Sequence, residues 1–181
     1  MRLLAISGSL RAGSSNTAAL QAAALLAPPG TQIILYPDLG ALPPFNPDED
    51  TETPPALVAA LRREIGLCDG LLISSPEYAH GIAGSLKNAL DWLVASLEFS
   101  GTPVALINTS PRAVHAPAQL REILTTMSAR LIEDASIDLH LLGRALDAAA
   151  IAADPGLAAS LRAALAAFVA AIGPGAGGVG G

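Results

Sequence analysis

Short apolar segments alternate with segments of helical periodicity along this chain, and the alternation limits its possible folds more than any other feature. Apolar runs, several rich in β-branched residues, predict five strands, at residues 3–7, 31–36, 70–75, 104–108 and 131–137. Apolar residues spaced three or four apart predict five helices, at residues 18–27, 57–66, 85–97, 118–129 and 155–172. The β-α unit thus occurs five times, which is typical of a parallel sheet whose strands are connected by helices.

The predicted strands are apolar at consecutive positions, which indicates that helices cover both faces of the sheet. We therefore expect an α/β fold, a flavodoxin-like three-layer sandwich with a five-stranded parallel sheet of order 2-1-3-4-5. Residues 1–172 are expected to form one domain, and the glycine-rich tail, residues 173–181, is expected to be disordered.

Charge and cysteine content argue against several classes of protein. The 181 residues carry a net charge of −6, whereas a general nucleic-acid binder normally has a basic face. A single cysteine excludes a disulfide framework. The N-terminus does not resemble a signal peptide, and the longest apolar run is far shorter than the roughly 20 residues that span a bilayer. We expect a cytoplasmic protein that binds neither nucleic acid nor membrane.

Polar loops follow the first, third and fourth predicted strands, and in this strand order the ligand crevice lies at the same sheet edge. The first loop reads GSLRAGSSN, residues 8–16, and precedes a helix that Ser14 or Ser15 can cap. Its backbone N–H groups, its serine hydroxyls (Ser9, Ser14 and Ser15) and the cation of Arg11 predict a phosphate site. A serine-rich turn that merely caps the helix is the alternative.

Two nucleotide-binding motifs fail on this loop. The spacing from Gly8 to Gly13 fits a Walker loop, but Ser14 stands where the lysine should follow. The dinucleotide pattern G-x-G-x-x-G fails because its second glycine is replaced by Leu10. A site for a single terminal phosphate remains.

Two segments of the chain resemble one family. The pattern G-S-L-R-x-x-S-x-N after the first strand, and residues 76–92, PEYAHGIAGSLKNALDW, are similar to segments of the NAD(P)H-dependent FMN reductases. This group contains quinone, chromate and azo-dye reductases, and the resemblance spans about residues 1–142. In two places the sequence departs from the family: Ala79 replaces an asparagine and Ala83 a proline.

The resemblance implies a set of FMN-binding residues. The phosphate is expected to contact Ser9, Arg11, Ser14 and Asn16, with Ser15 and Thr17 adjacent. The isoalloxazine is expected to lie against Pro76, Glu77 and Tyr78, mostly through backbone groups, with Ser110 in the loop after the fourth strand. For Tyr78 the alternative is an aromatic that packs on the rim of its own loop.

The resemblance also implies hydride transfer from NADPH or NADH to FMN, and then reduction of a small acceptor such as a quinone. Flavin N5 takes hydride directly, so we expect no catalytic acid or base. A homodimer or a dimer of dimers is implied. The alternatives are a flavodoxin-type electron carrier and a flavin-free assembly or regulatory protein. Aromatic residues make up only 3% of the chain, which favours an open flavin face and hence a reductase.

The remaining candidate residues are the three histidines, Arg112, Trp92 and Cys68. His80, His115 and His140 lie on different segments, so we expect no metal site. Arg112 is either a site for the phosphate of NADPH or an anionic acceptor, or a solvated surface residue. Trp92 is either an anchor in a subunit interface or part of the chain's own core. Cys68 is expected to be a buried apolar residue.

Overall fold

A computed structural model describes residues 1–141 and 143–173. Eight strands are present in these residues: β1 (Arg2–Ser7), β2 (Gln32–Leu35), β3 (Gly70–Ser74), β4 (Glu77–Tyr78), β5 (Gly81–Ile82), β6 (Pro103–Asn108), β7 (Arg130–Leu131) and β8 (Ile137–Asp138). The main sheet is parallel in the order β2-β1-β3-β6-β7, and β8 also pairs with β6. The predicted order 2-1-3-4-5 is therefore confirmed, with β7 and β8 together in the fifth position.

The fifth strand differs from its prediction as one continuous strand over 131–137. A short 3-10 helix, Glu133–Ala135, separates β7 from β8 because Glu133 and Asp134 point acidic side chains to solvent and cannot continue a buried strand. Ser136 bridges the interruption: its Oγ accepts a hydrogen bond from the backbone N–H of Leu106 at 3.1 Å. A side-chain hydroxyl thus replaces the missing strand partner.

The described part of the chain forms six α-helices, of which the first four connect strands and the last two follow β8: α1 (Ser15–Leu25), α2 (Ala56–Gly66), α3 (Gly84–Leu93), α4 (His115–Thr126), α5 (Ala148–Ala153) and α6 (Pro155–Ile172). The prediction of helix 85–97 was too long, since Val94 and Leu97 lie beyond α3 and are exposed. Helix α4 begins three residues before its predicted start. Helix α5 was not predicted.

Two apolar cores lie on opposite faces of the sheet, as the three-layer prediction requires. Alternate side chains of one strand separate to the two sides: Leu71 and Ile73 pack in the core beneath α2, α3 and α4, and Leu72 packs in the core beneath α1 and α6. The predicted α/β, flavodoxin-like class is confirmed. Helix α6 ends at Ile172, and residues 174–181 of the predicted disordered tail lie outside the described residues.

Helix α6 is the one described helix that is long and apolar enough to cross a membrane, with a mean hydropathy of 1.7 over 18 residues. One of its faces packs on the sheet through Leu161, Leu165 and Phe168, which are all almost fully buried. Its apolar character is explained in part by this core packing.

Trp92 lies in the chain's own core and is not an interface anchor. Its side chain is fully buried, its Nε1 donates to the carbonyl oxygen of Pro43 at 2.9 Å, and its ring meets Phe45 edge to face at 5.0 Å. The core interpretation is thus the right one.

Candidate active site

The carboxyl ends of β1, β3 and β6 bring the three polar loops together, as expected from the strand order. The loops approach closely at Gly8, whose N–H donates to the carbonyl oxygen of Ser74 at 2.8 Å. A Cβ atom at Gly8 would lie 2.6 Å from Ser75 Oγ, so only glycine fits between the two loops without rearrangement. Ser85, at the start of α3, donates its hydroxyl to the carbonyl oxygen of Gly8 at 3.1 Å.

Asn16 joins all three loops through one buried side-chain oxygen. Its Oδ1 accepts from Ser74 Oγ at 2.8 Å and from Thr109 Oγ1 at 3.2 Å. Ser74 Oγ also lies 2.6 Å from the carbonyl oxygen of Ile107. Because Asn16, Ser74 and Thr109 are all buried, these hydroxyls depend on protein acceptors. Asn16 thereby fixes the start of α1 against the ends of β3 and β6.

A cavity of about 380 Å³ lies beside the first loop and the start of α1. Its wall on this side includes Arg11, Gly13, Ser14, Ser15 and Thr17. Ser14 is the N-cap of α1, and its side chain accepts from the backbone N–H of Thr17 at 3.5 Å. The first N–H groups of a helix have no intrahelical acceptor, so those of Ser15 and Asn16 are available to an anion.

Two arginines border this cavity. Arg11 is exposed and makes no ion pair with any described residue. Arg144 also lines this cavity and is paired with Asp154 at 2.8 Å. Sequence reasoning missed Arg144, since it belongs to no motif and reaches this place only because α5 packs beside α1. Ser9 does not line the cavity; it is buried beneath the loop, where its Oγ accepts from the N–H of Arg11 at 3.4 Å.

A second cavity of about 240 Å³ lies where the three loops meet. Its lining includes four of the predicted residues, Asn16, Pro76, Glu77 and Ser110. The other lining residues are Ser75, Asn108, Thr109, Arg112 and Ala113, so no aromatic side chain covers it within the described chain. Tyr78 is not part of the lining and is 56% exposed on the rim.

A hairpin that sequence reasoning missed forms the rim of this second cavity. Strands β4 and β5 pair antiparallel, and Ala79 and His80 form the two-residue turn with φ of 49° and 60°. Positive φ at both turn positions is the geometry that matches strand twist in a tight hairpin. The hairpin is held against α4, where Gln119 Oε1 accepts from the N–H of Ile82 at 2.9 Å.

The carboxylate of Glu77 makes a structural contact with the start of α4. Its Oε2 accepts from the N–H groups of His115 and Ala116, both at 2.8 Å, and so caps α4. These hydrogen bonds, that of Ala116 foremost, lower the pKa of Glu77 below its ordinary value. The cap explains why α4 begins at His115, before the predicted start.

Cys68 lines neither cavity, and its thiol is not activated as a nucleophile. Burial raises the pKa of its thiol to about 11, and its Sγ donates to the carbonyl oxygen of Ile65 at 3.1 Å. Cys68 is only half-buried, whereas the sequence predicts a buried residue.

The donor set of the two adjoining cavities fits a phosphorylated ring cofactor such as FMN. The larger cavity offers helix amides, hydroxyls and two guanidinium groups, which suit a terminal phosphate. The smaller cavity is lined by polar backbone and side-chain groups, of which only Glu77 and Arg112 are charged. This lining suits the edge of a polar ring. Fold and site together define a flavodoxin-like protein that binds a phosphorylated cofactor.

Comparison with known proteins identifies the family to which the chain belongs. The sequence model of NADPH-dependent FMN reductase matches residues 1–140, and the chain belongs to this family. An NAD(P)H-dependent FMN reductase of Pseudomonas aeruginosa is 37% identical over 153 residues, 82% of each chain. A quinone reductase of Escherichia coli K12 is 34% identical over 139 residues, 73% of each chain. The protein is thus an enzyme of the NAD(P)H-dependent flavin oxidoreductase class.

Solved structures agree with the fold. The flavoenzyme FerB, an NAD(P)H:(acceptor) oxidoreductase from Paracoccus denitrificans, has a TM-score of 0.80 at 29% identity, over 94% of this chain and 96% of FerB. A flavodoxin from the Archaea has a TM-score of 0.60 at 14% identity, over 93% of this chain and 96% of its own. Because an electron carrier shares the fold, the fold alone does not distinguish a reductase from a carrier.

Proposed function

We propose that the protein takes hydride from NADPH or NADH onto bound FMN and transfers two electrons to a small acceptor such as a quinone. The supporting observation is the second cavity, which no aromatic side chain of the described chain covers. Flavodoxin-type carriers typically enclose the flavin between aromatic rings, whereas a reductase needs a face open to two successive substrates. Tyr78 stands at the rim, where it can contact a nicotinamide or an acceptor without closing the site.

The phosphate end of the cofactor would be held by the first loop. Arg11 supplies charge, Ser14 and Ser15 supply hydroxyls, and the amides at the start of α1 supply N–H donors. Arg144, which lines the same cavity and is paired with Asp154 at 2.8 Å, adds a second cation. Ser9 supports the loop from beneath and orients the backbone of Arg11.

The ring end would lie against Pro76, Glu77 and Ser110, with Asn16 between the ring and phosphate ends. The flavin supplies hydride acceptance and donation, and the protein supplies position and electrostatics. We assign no general acid or base, because flavin N5 takes hydride directly; one oxygen of the Glu77 carboxylate, Oε2, is engaged by two backbone donors of α4. Arg112 lines the mouth of this cavity, where its charge can attract an anionic nucleotide or acceptor.

The absorbance spectrum of the purified protein is the first test. We expect a flavin spectrum, either directly or after incubation with FMN and gel filtration. A protein that stays colourless under both conditions contradicts the proposal and supports a flavin-free role.

Turnover separates a reductase from a carrier. We expect the FMN-loaded protein to oxidise NADPH or NADH continuously when a benzoquinone is supplied. The quinone is a reasonable acceptor because relatives include a quinone reductase of Escherichia coli and a 2-hydroxy-1,4-benzoquinone reductase of a Burkholderia species. Slow reduction of the flavin without multiple turnovers would identify a carrier.

We also propose a homodimer, or a dimer of dimers, that acts in the cytoplasm. Val94 and Leu97, just beyond α3, are 64% and 92% exposed, and we propose that they pack against a second copy of the chain. Light scattering on the full chain and on Leu97→Glu tests this. We expect a dimer or tetramer for the parent and a smaller species for the variant, whereas a monomeric parent contradicts the proposal.

A further inference from the structure

Two histidines from separate segments meet beside Glu77. His80 lies in the hairpin turn and His115 is the first residue of α4; their ring centroids are 4.2 Å apart and the rings are inclined by 24°. One imidazole nitrogen of each ring and a carboxylate oxygen of Glu77 all lie within 4.8 Å of one another. The sequence predicts no metal site because the histidines lie on different segments of the chain. The hairpin, however, places His80 next to His115 in space.

Two imidazoles and a carboxylate are a ligand set that binds first-row divalent transition metals. Glu77 Oε2 is engaged by the N–H groups of His115 and Ala116, whereas Oε1 accepts no hydrogen bond from any described residue. The carboxylate is therefore held in place with one oxygen left for a cation. This resembles the arrangement in which hydrogen bonds from outer groups orient a metal ligand.

The geometry needs only a small adjustment. Ligand atoms on one tetrahedral Zn²⁺ lie about 3.4 Å apart, given bonds of about 2.1 Å. Both imidazoles are exposed, so they can rotate out of their stack by turning about side-chain torsions. The backbone elements need not move, because Glu77 and Gln119 already hold the hairpin against α4.

We propose that Glu77, His80 and His115 form a binding site for a first-row divalent transition metal such as Zn²⁺. The three protein ligands leave a fourth position to water or to a small anionic ligand. A bound ion connects the hairpin turn to the start of α4 at the rim of the second cavity. The site uses none of the residues that hold the phosphate, but it shares Glu77 with the lining of the second cavity, so Zn²⁺ binding is measured directly and not through reductase activity.

Calorimetric titration of the untagged, chelator-treated full chain with Zn²⁺ tests the proposal. We expect one saturable site per chain for Zn²⁺ and none for Mg²⁺, which prefers oxygen ligands. His80→Ala and His115→Ala should each weaken Zn²⁺ binding by about tenfold or more. The matched control is His140→Ala, which removes an exposed histidine outside the cluster and should leave the affinity unchanged.

A second measurement avoids dependence on the variants' folding. In NMR spectra of the parent protein, Zn²⁺ should shift the imidazole resonances of His80 and His115 and leave those of His140 in place. The proposal is overturned if the parent shows no saturable binding up to millimolar Zn²⁺. It is equally overturned if both alanine variants bind like the parent, or if His140 is the residue that responds.

Discussion

Asn16 Oδ1 accepts a hydrogen bond from the hydroxyl of Ser74 at 2.8 Å across a sequence separation of 58 residues. The contact joins the start of α1 to the end of β3, and Thr109 at the end of β6 shares the same oxygen. The residue predicted to meet the cofactor phosphate is thus also the residue that holds the three loops together.

Substitutions of Asn16 should separate these two roles. Asn16→Leu leaves the buried hydroxyl of Thr109 without an acceptor, whereas Ser74 retains the carbonyl oxygen of Ile107, so we expect the free energy of unfolding to fall by about 1–3 kcal/mol. Asn16→Asp keeps an acceptor oxygen, near helix amides that favour an anion, but places negative charge beside the proposed phosphate. It should lose much less stability and yet bind FMN about tenfold more weakly. Urea denaturation and fluorescence titration with FMN measure the two effects. Unchanged FMN affinity in Asn16→Asp would remove this residue from the phosphate site.

Arg11→Ala should weaken FMN binding by about tenfold, because it removes a charge-assisted contact to the phosphate. Arg112→Ala, at the mouth of the other cavity, should change FMN affinity much less. Riboflavin, which lacks the phosphate, provides the control ligand: its affinity should be insensitive to Arg11→Ala. Equal losses in the two variants would contradict the assignment of the phosphate to the first loop.

Asp154→Asn should strengthen FMN binding severalfold. Asp154 pairs with Arg144 at 2.8 Å and caps α6 by accepting from the N–H groups of Gly156 and Leu157, both at 3.0 Å. Asparagine retains an acceptor for the cap but releases the Arg144 charge toward the phosphate cavity. Arg144→Gln is the matched variant, since it also breaks the pair but removes the cation, and it should weaken FMN binding. Parallel changes in both variants would exclude Arg144 from the site.

The same variant predicts a change in acid stability. The hydrogen bond from Arg144, with the backbone donors of α6, lowers the pKa of Asp154 from its ordinary value of 3.8. A lowered pKa in the folded state contributes stability above pH 3.8 that is lost as the pH falls through the lowered value. Unfolding measured over this range should therefore lose less stability toward acid in Asp154→Asn than in the parent.

Ala79→Asn should stabilise the hairpin by about 0.5–1 kcal/mol, because asparagine tolerates positive φ better than alanine does. Ala79 has φ of 49° and stands where the family carries asparagine. The matched control is Ala59→Asn on the exposed surface of α2, where the same change should destabilise by about 0.5 kcal/mol. Thermal unfolding of both variants checks the prediction, and a loss of stability at both positions would contradict it.

The position of the polar first loop was predictable because it depends on residues close together in the chain, and its role as the phosphate site stays a prediction. Ser14, Ser15 and Asn16 stand at the start of the helix that follows the first strand, and in the structure they cap or begin α1 and line the two cavities. Glu77 lines the cavity where the three loops meet, but its carboxylate caps α4, a contact across 39 residues that no local pattern specifies. Arg144 was missed for the same reason.

Errors in the predicted elements have physical causes of two kinds. The predicted helix over 85–97 is longer than α3 because Leu97 fits helical spacing, although Leu97 is exposed and lies beyond the last turn of α3. The fifth strand is predicted as one continuous strand because Leu131 and Ile137 at its two ends are apolar, although an acidic 3-10 turn lies between them. Periodicity reports which positions are apolar and not which partner covers them.

The sequence by itself determined the order of strands and helices, the parallel sheet and the loop at which a phosphate should bind, since these depend on residues close together in the chain. Only the tertiary structure decided that Asn16 links three loops, that Arg144 and Arg11 line the same cavity, and that His80 and His115 meet at Glu77. These relationships arise when parallel strands bring their carboxyl ends to one edge, which places residues that are far apart in the chain within hydrogen-bonding or electrostatic reach.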